Sequence, residues 1–153
     1  MHRLNLAVLV TILLAGCTAV SVQPVVSLDK DATVCIVQNP KVLVSDFISV
    51  VERRFAHHGV QTKLVNNSNQ CEYTMDYTAE RSWDLKPYLD YALLNLRHKG
   101  VLIGSAEYRN RGGLTFTKYA GTASKLNPVI DELLERRVLE GAKQDDTKME
   151  PKL

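Results

Sequence analysis

Two periods of apolar spacing divide this chain into elements. The first run, Thr33 to Val37, is β-branched and stopped by Asn39-Pro40, which predicts a short strand. Phe47, Ile48, Val51 and Phe55 then recur at helical spacing, with Glu52, Arg53 and Arg54 on the wet side, so an amphipathic helix follows. Ser45 or a neighbour caps it, and Gly59 after His57-His58 is the left-handed residue that ends it. Val60 to Val65 re-enters as an extended segment. A strand, a helix and a strand of these lengths predict a parallel, right-handed crossover. Asn66 to Asn69 is a turn by composition.

From Cys71 the period becomes two. Cys71, Tyr73, Met75 and Tyr77 share one face, and Glu72, Thr74, Asp76 and Thr78 the other. A loop at Arg81-Ser82-Trp83-Asp84 leads to a strand over Tyr88 to Arg97, with Tyr88, Ala92, Leu94 and Leu96 on one side. After a turn at His98-Lys99-Gly100, Val101 to Arg109 pairs back with Leu102, Gly104, Ala106 and Tyr108 facing together. Asn110 to Gly113 is a glycine-bearing loop, and Leu114 to Tyr119 a short edge segment. The closing helix carries Leu126, Val129, Ile130, Leu133, Leu134 and Val138 on one stripe; a start near Thr122 places Pro128 inside it. The order is β-α-β-β-β-β-α. The fold class is α+β, a two-layer sandwich of a mixed sheet with two helices on one face, because that packing buries every stripe.

Outside this pattern lie the two ends. Arg3 precedes an apolar run from Leu6 to Leu14 broken only by Thr11, and Leu14-Ala15-Gly16-Cys17 closes it. This stretch resembles the cleavage and lipidation box of bacterial lipoproteins. The resemblance implies a signal peptide over residues 1–16, diacylglycerol on the Cys17 sulfur and an acylated new amino terminus. The run is too short to cross a bilayer, which needs about 20 apolar residues. Thr18 stands where aspartate retains lipoproteins at the inner membrane, so the resemblance implies the outer membrane of a Gram-negative envelope, with the domain in the periplasm. Residues 17–32, rich in Val, Ser, Gln, Pro and Asp without a period, read as a tether. Residues 33–140 form the domain, and 141–153, almost without apolar residues, read as a disordered tail.

Charge excludes little beyond nucleic acid: 19 basic and 17 acidic residues lie close to neutrality. Once Cys17 is alkylated, Cys35 and Cys71 are an even pair in an oxidising compartment, and a disulfide is the natural reading. A metal site of these thiols with His57 and His58 lacks any ligand spacing, and the two histidines suit a helix C-terminus instead. No cofactor is implied.

Enzyme signatures are absent from the sequence: there is no G-x-S-x-G, Walker loop, H-E-x-x-H or dinucleotide fingerprint. Glu80 and Asp84 flank Trp83, but no nucleophile is placed beside them, so the chain reads as non-enzymatic. The stronger candidate is a binding site made of Arg81, Trp83, Arg109 and Arg111, since exposed Trp and Arg anchor interfaces. The other reading of Trp83 folds it back onto the sheet. The stretches Arg81-Ser82-Trp83-Asp84-Leu85, Ile103 to Tyr108 and Lys125 to Leu134 resemble a family of small proteobacterial outer-membrane lipoproteins to which no activity is assigned. More loosely, the element order is similar to the lipopolysaccharide-assembly lipoprotein and to assembly modules of the Tol and curli systems. Two functions follow. One is a non-catalytic accessory or assembly subunit of an envelope complex, with a protein partner and the membrane as its contacts. The other is a periplasmic binder of an anionic glycolipid or cell-wall fragment.

Overall fold

The computed structural model describes residues 18–112 and 116–146. Their sheet has six strands: β1 (Thr18–Gln23), β2 (Thr33–Val37), β3 (Gln61–Val65), β4 (Tyr73–Trp83), β5 (Pro87–His98) and β6 (Val101–Asn110), in the order β1-β6-β5-β4-β2-β3. β2 pairs parallel with both β3 and β4, and all other neighbours are antiparallel, so the sheet is mixed. Helices α1 (Phe47–His57) and α2 (Thr122–Asp146) share one core with its inner face. The α+β class and the β-α-β-β-β-β-α order hold, with one strand added in front.

That added strand corrects the tether. Thr18–Gln23 pairs along its whole length with β6, from Thr18 opposite Asn110 to Gln23 opposite Ser105. The segment after it is pinned between two elements: the Val25 amide donates to the Leu133 carbonyl (2.8 Å) and the Val26 amide to that of Ile103 (3.0 Å). Val25, Leu28 and Ala32 are buried. Composition misleads here because an edge strand with one wet face alternates Val with Ser and Thr, as a linker also does. The close approach of this segment to β6 requires a residue without a side chain at Gly104. A Cβ there would lie 2.8 Å from Val25 Cγ2 and 3.1 Å from Leu133 Cδ1.

α1 starts at Phe47 with Asp46 as its N-cap residue, but no side chain caps it; Ser49 Oγ donates back to the Asp46 carbonyl (3.0 Å). Its far end is a Schellman turn. Gly59 has φ +69°, its amide donates to Ala56 (2.9 Å), and the Val60 amide reaches Phe55 (3.0 Å). Phe47, Val50, Val51 and Phe55 are buried, each aromatic contributing on the order of 3 kcal/mol. Phe47 stacks on Tyr77 of β4. α2 begins at Thr122 and carries Pro128 inside it, as the stripe requires. Its backbone stays helical to Asp146, past the Gly141 where composition predicts a tail; residues 147–153 lie outside the described residues.

Two bulges change the facing residues. Glu80 pairs with Tyr91 and Arg81 with Leu89, so Asp90 is the extra residue on β5, and Leu89 rather than Tyr88 is buried. Leu96 pairs with Gly104 and Arg97 with Leu102, so Ile103 is extra, and Leu102 turns outward while Ile103 packs against the core. The predicted edge segment over Leu114 to Tyr119 is instead a 3-10 helix at Phe116–Tyr119, fastened by the buried Lys118. Residues 113–115 lie outside the described residues.

Cys35 and Cys71 form a disulfide with Cα atoms 6.1 Å apart. Val34 and Ile36 face the core, so by alternation Cys35 lies on the sheet face away from the helices. The bond ties β2 to the turn that opens β4.

Candidate functional site

The four binding candidates gather at one end of the sheet but divide between its faces. Trp83 is the last residue of β4, opposite Pro87, rather than part of a loop. It does not fold back: the residue is 72% exposed. Arg81 lies opposite the buried Leu89, which sets it on the helix side, and its guanidinium is 3.4 Å from Asp46 at the start of α1. Arg109 lies on the open face, 3.4 Å from Glu107 and stacked 4.3 Å from the centre of the Tyr91 ring. Arg111 is exposed beyond β6, next to Gly112 with its left-handed φ of +77°. Two of the three arginines thus already have carboxylate partners and point to opposite faces. They do not converge on an anion pocket.

What stands exposed at this end is apolar. Leu85 in the β4–β5 turn is 82% exposed and Phe116 on the 3-10 helix is 89% exposed, so with Trp83 they stand uncovered. Their mounting is rigid. Lys118 bonds Asp84, which holds that carboxyl below and the lysine above its ordinary range. Tyr119 packs edge-on against Tyr88, and the Lys125 ammonium, its pKa pushed down by burial, donates to the Leu89 carbonyl (2.8 Å). The hairpin tip, the 3-10 helix and the start of α2 are therefore one clamped unit. Sequence reasoning missed Leu85 and Phe116 because an isolated Leu or Phe in a loop carries no period.

The other polar clusters are structural. Arg54 of α1 and His58, the residue that caps its C-terminus, both bond Asp131 of α2, with His58 Nε2 2.7 Å from Oδ1. The guanidinium holds the Asp131 carboxyl below its usual range, and burial works against it. The His58 ring has no hydroxyl or thiol partner among the described residues, so this is a clamp between helices, not a nucleophile with its base. On the open face Asp76 accepts from Asn95 (2.9 Å) and Arg97 (3.0 Å). At the opposite end Glu72 binds His98 and Lys99, the lysine first among the causes of its depressed pKa. No group of three or more metal-ligating side chains occurs among the described residues. Cys17 lies outside them.

No family model matches the chain, and no curated protein matches it in sequence. Its fold is similar to that of solved structures of PelC from Paraburkholderia phytofirmans. A PelC dodecamer carrying a single substitution is 16% identical, with a TM-score of 0.51 over 73% of this chain and 96% of that one. A PelC dodecamer in another crystal form is 14% identical, with a TM-score of 0.50 over 73% and 97%. At these identities the likeness is one of fold alone.

Proposed function

We propose that this protein is an outer-membrane lipoprotein, held by lipid on Cys17, that serves as a non-catalytic assembly subunit of an envelope complex. The observation that carries this reading is the absence of slack behind the anchor. Thr18 is already hydrogen-bonded into the sheet, so one peptide bond separates the lipidated residue from the folded domain. Three acyl chains on one residue give lasting attachment where a single chain gives only marginal binding. A domain fixed so closely holds one posture at the membrane, which suits a subunit built into an assembly better than one that must reach for soluble ligands. The similarity in fold to PelC, described as a dodecamer, supports a subunit that works beside copies of itself. The glycolipid-binding alternative loses ground because Arg81 and Arg109 are engaged by Asp46 and Glu107.

Metabolic labelling with a fatty-acid probe tests the anchor. The wild type is expected to incorporate label and to fractionate with the outer membrane, while Cys17→Ser does neither. Label on Cys17→Ser, or a wild type that stays soluble after export, would overturn the reading.

A further inference from the structure

We infer that the hairpin end bearing Trp83, Leu85 and Phe116 is a membrane-contacting tip whose side chains sit in the lipid interface beside the Cys17 anchor. This rests on the anchoring proposed above and assigns the occupant of the exposed end. The sheet register supplies the geometry. Ala19 pairs with Arg109, and Arg109 with Tyr91, so these three residues stand level across the sheet. β4 continues three residues beyond that level, from Glu80 opposite Tyr91 to Trp83, and at about 3.3 Å per residue Trp83 stands roughly 7 Å past Thr18 at the start of β1, with Leu85 in the turn beyond it. The overhang points to the side from which Cys17 joins Thr18. With Cys17 at the bilayer surface, the turn beyond Trp83 extends toward the depth of about 5–10 Å at which interfacial apolar faces lie.

Composition agrees with that depth. Trp and Tyr favour the membrane–water boundary, and Lys and Arg beside them keep their charge in the headgroups while their stems stay apolar. Lys86, in the turn itself, and Arg111 have no carboxylate partner among the described residues. The acids that would resist approach to anionic headgroups are mostly neutralised: Asp84 by Lys118, Asp46 by Arg81 and Glu107 by Arg109. Glu80 remains exposed, but it lies back at the level of Tyr91, above the interface, and the half-buried Asp90 accepts from Asn110 Nδ2 (3.4 Å). A protein partner seated on the same end would have to share it with the bilayer that Cys17 brings there.

Trp83 is the sole tryptophan of the sequence, so its fluorescence reads the tip without labelling. The mature protein is purified from the envelope. If it carries acyl chains it is reconstituted into vesicles of phosphatidylethanolamine and phosphatidylglycerol. If Cys17 is a free thiol, it is coupled to a maleimide phospholipid in the same vesicles; either way Cys17 is at the bilayer. Emission is expected to shift to the blue relative to detergent-free protein without vesicles, with quenching by nitroxide lipids labelled near the headgroup and a several-fold loss of iodide access. As a control, Val101→Trp in a Trp83→Phe background puts the reporter on the exposed residue at the other end of the sheet, which should stay open to iodide and unquenched by lipid. Iodide-accessible, unquenched Trp83 on vesicle-bound protein would overturn the inference. So would a blue shift without lipid quenching, which would mean that a second copy or another protein covers the tip, or equal quenching at both reporters, which would mean that the domain lies flat. Missing acyl chains on the purified protein would count against lipid anchoring in the cell alone, since the coupled vesicles still read the tip.

Discussion

At the scale of single residues, several charged side chains are tied to one another across long stretches of chain. Asp131 takes bonds from Arg54 on the other helix and from His58 at that helix's C-cap, and its carboxyl is held below the usual range chiefly by the guanidinium. A carboxyl with a depressed folded-state pKa stabilises the fold fully above its unfolded value of about 3.9, and the gain disappears as pH falls through the folded value. Acid unfolding followed by circular dichroism should therefore steepen below about pH 4 in the wild type. Asp131→Asn should flatten that limb and lower stability at neutral pH, and an unchanged acid limb would remove the clamp from the account. None of this pairing is legible in the sequence, where Arg54 looks like a solvated residue on a wet helix face. Trp83 is the converse case. Its neighbours mark it as a candidate, yet whether it stands out or folds back depends on how far β4 runs, which alternation ending at Thr78 does not reveal.

At the scale of elements, periodicity locates both helices and the central strands because each has one buried face. It fails wherever the period is interrupted. The bulges at Asp90 and Ile103 shift the buried set by one residue, so unbroken alternation assigns Tyr88 and Leu102 to the core in place of Leu89 and Ile103. β1 is hidden by a linker-like composition, and the 3-10 helix has too few residues to show a period. Cysteine arithmetic succeeds without any period, because two cysteines remain once Cys17 is assigned to the lipidation box, and an even pair has few alternatives. The Cys35–Cys71 bond spans 36 residues, and the chain-entropy estimate gives it roughly 4 kcal/mol, less any part retained by structure in the unfolded chain. Urea unfolding with and without reductant should show a lower midpoint for the reduced protein, and so should Cys35→Ser with Cys71→Ser. Equal midpoints would mean that the turn before β4 is held by its neighbours alone.

For the whole molecule, the decisive relation is between the proposed anchor and the end of the sheet beside it, and it would exist only because β1 begins at Thr18. A tether over residues 17–32 would have let the domain tumble, and the lipid would then specify a compartment but no orientation. With β1 in the sheet, Thr18, the β4–β5 hairpin and the 3-10 helix lie at one end and the β5–β6 turn at Lys99-Gly100 at the other, so the lipid proposed on Cys17 would orient the domain as well as hold it. This coupling can be severed without touching either part. Inserting a flexible Gly/Ser segment of about 20 residues between Cys17 and Thr18 leaves the lipidation stretch and β1 intact, while the effective concentration of the tip at the bilayer falls roughly as the −3/2 power of linker length. The inserted protein should still label with fatty acid and still fractionate with the membrane. Its Trp83 emission on vesicles should move back toward that of the free protein, and iodide should regain access. If the tip holds the bilayer as firmly with the linker as without it, the side chains alone supply the attachment and the short anchor is not what orients the domain.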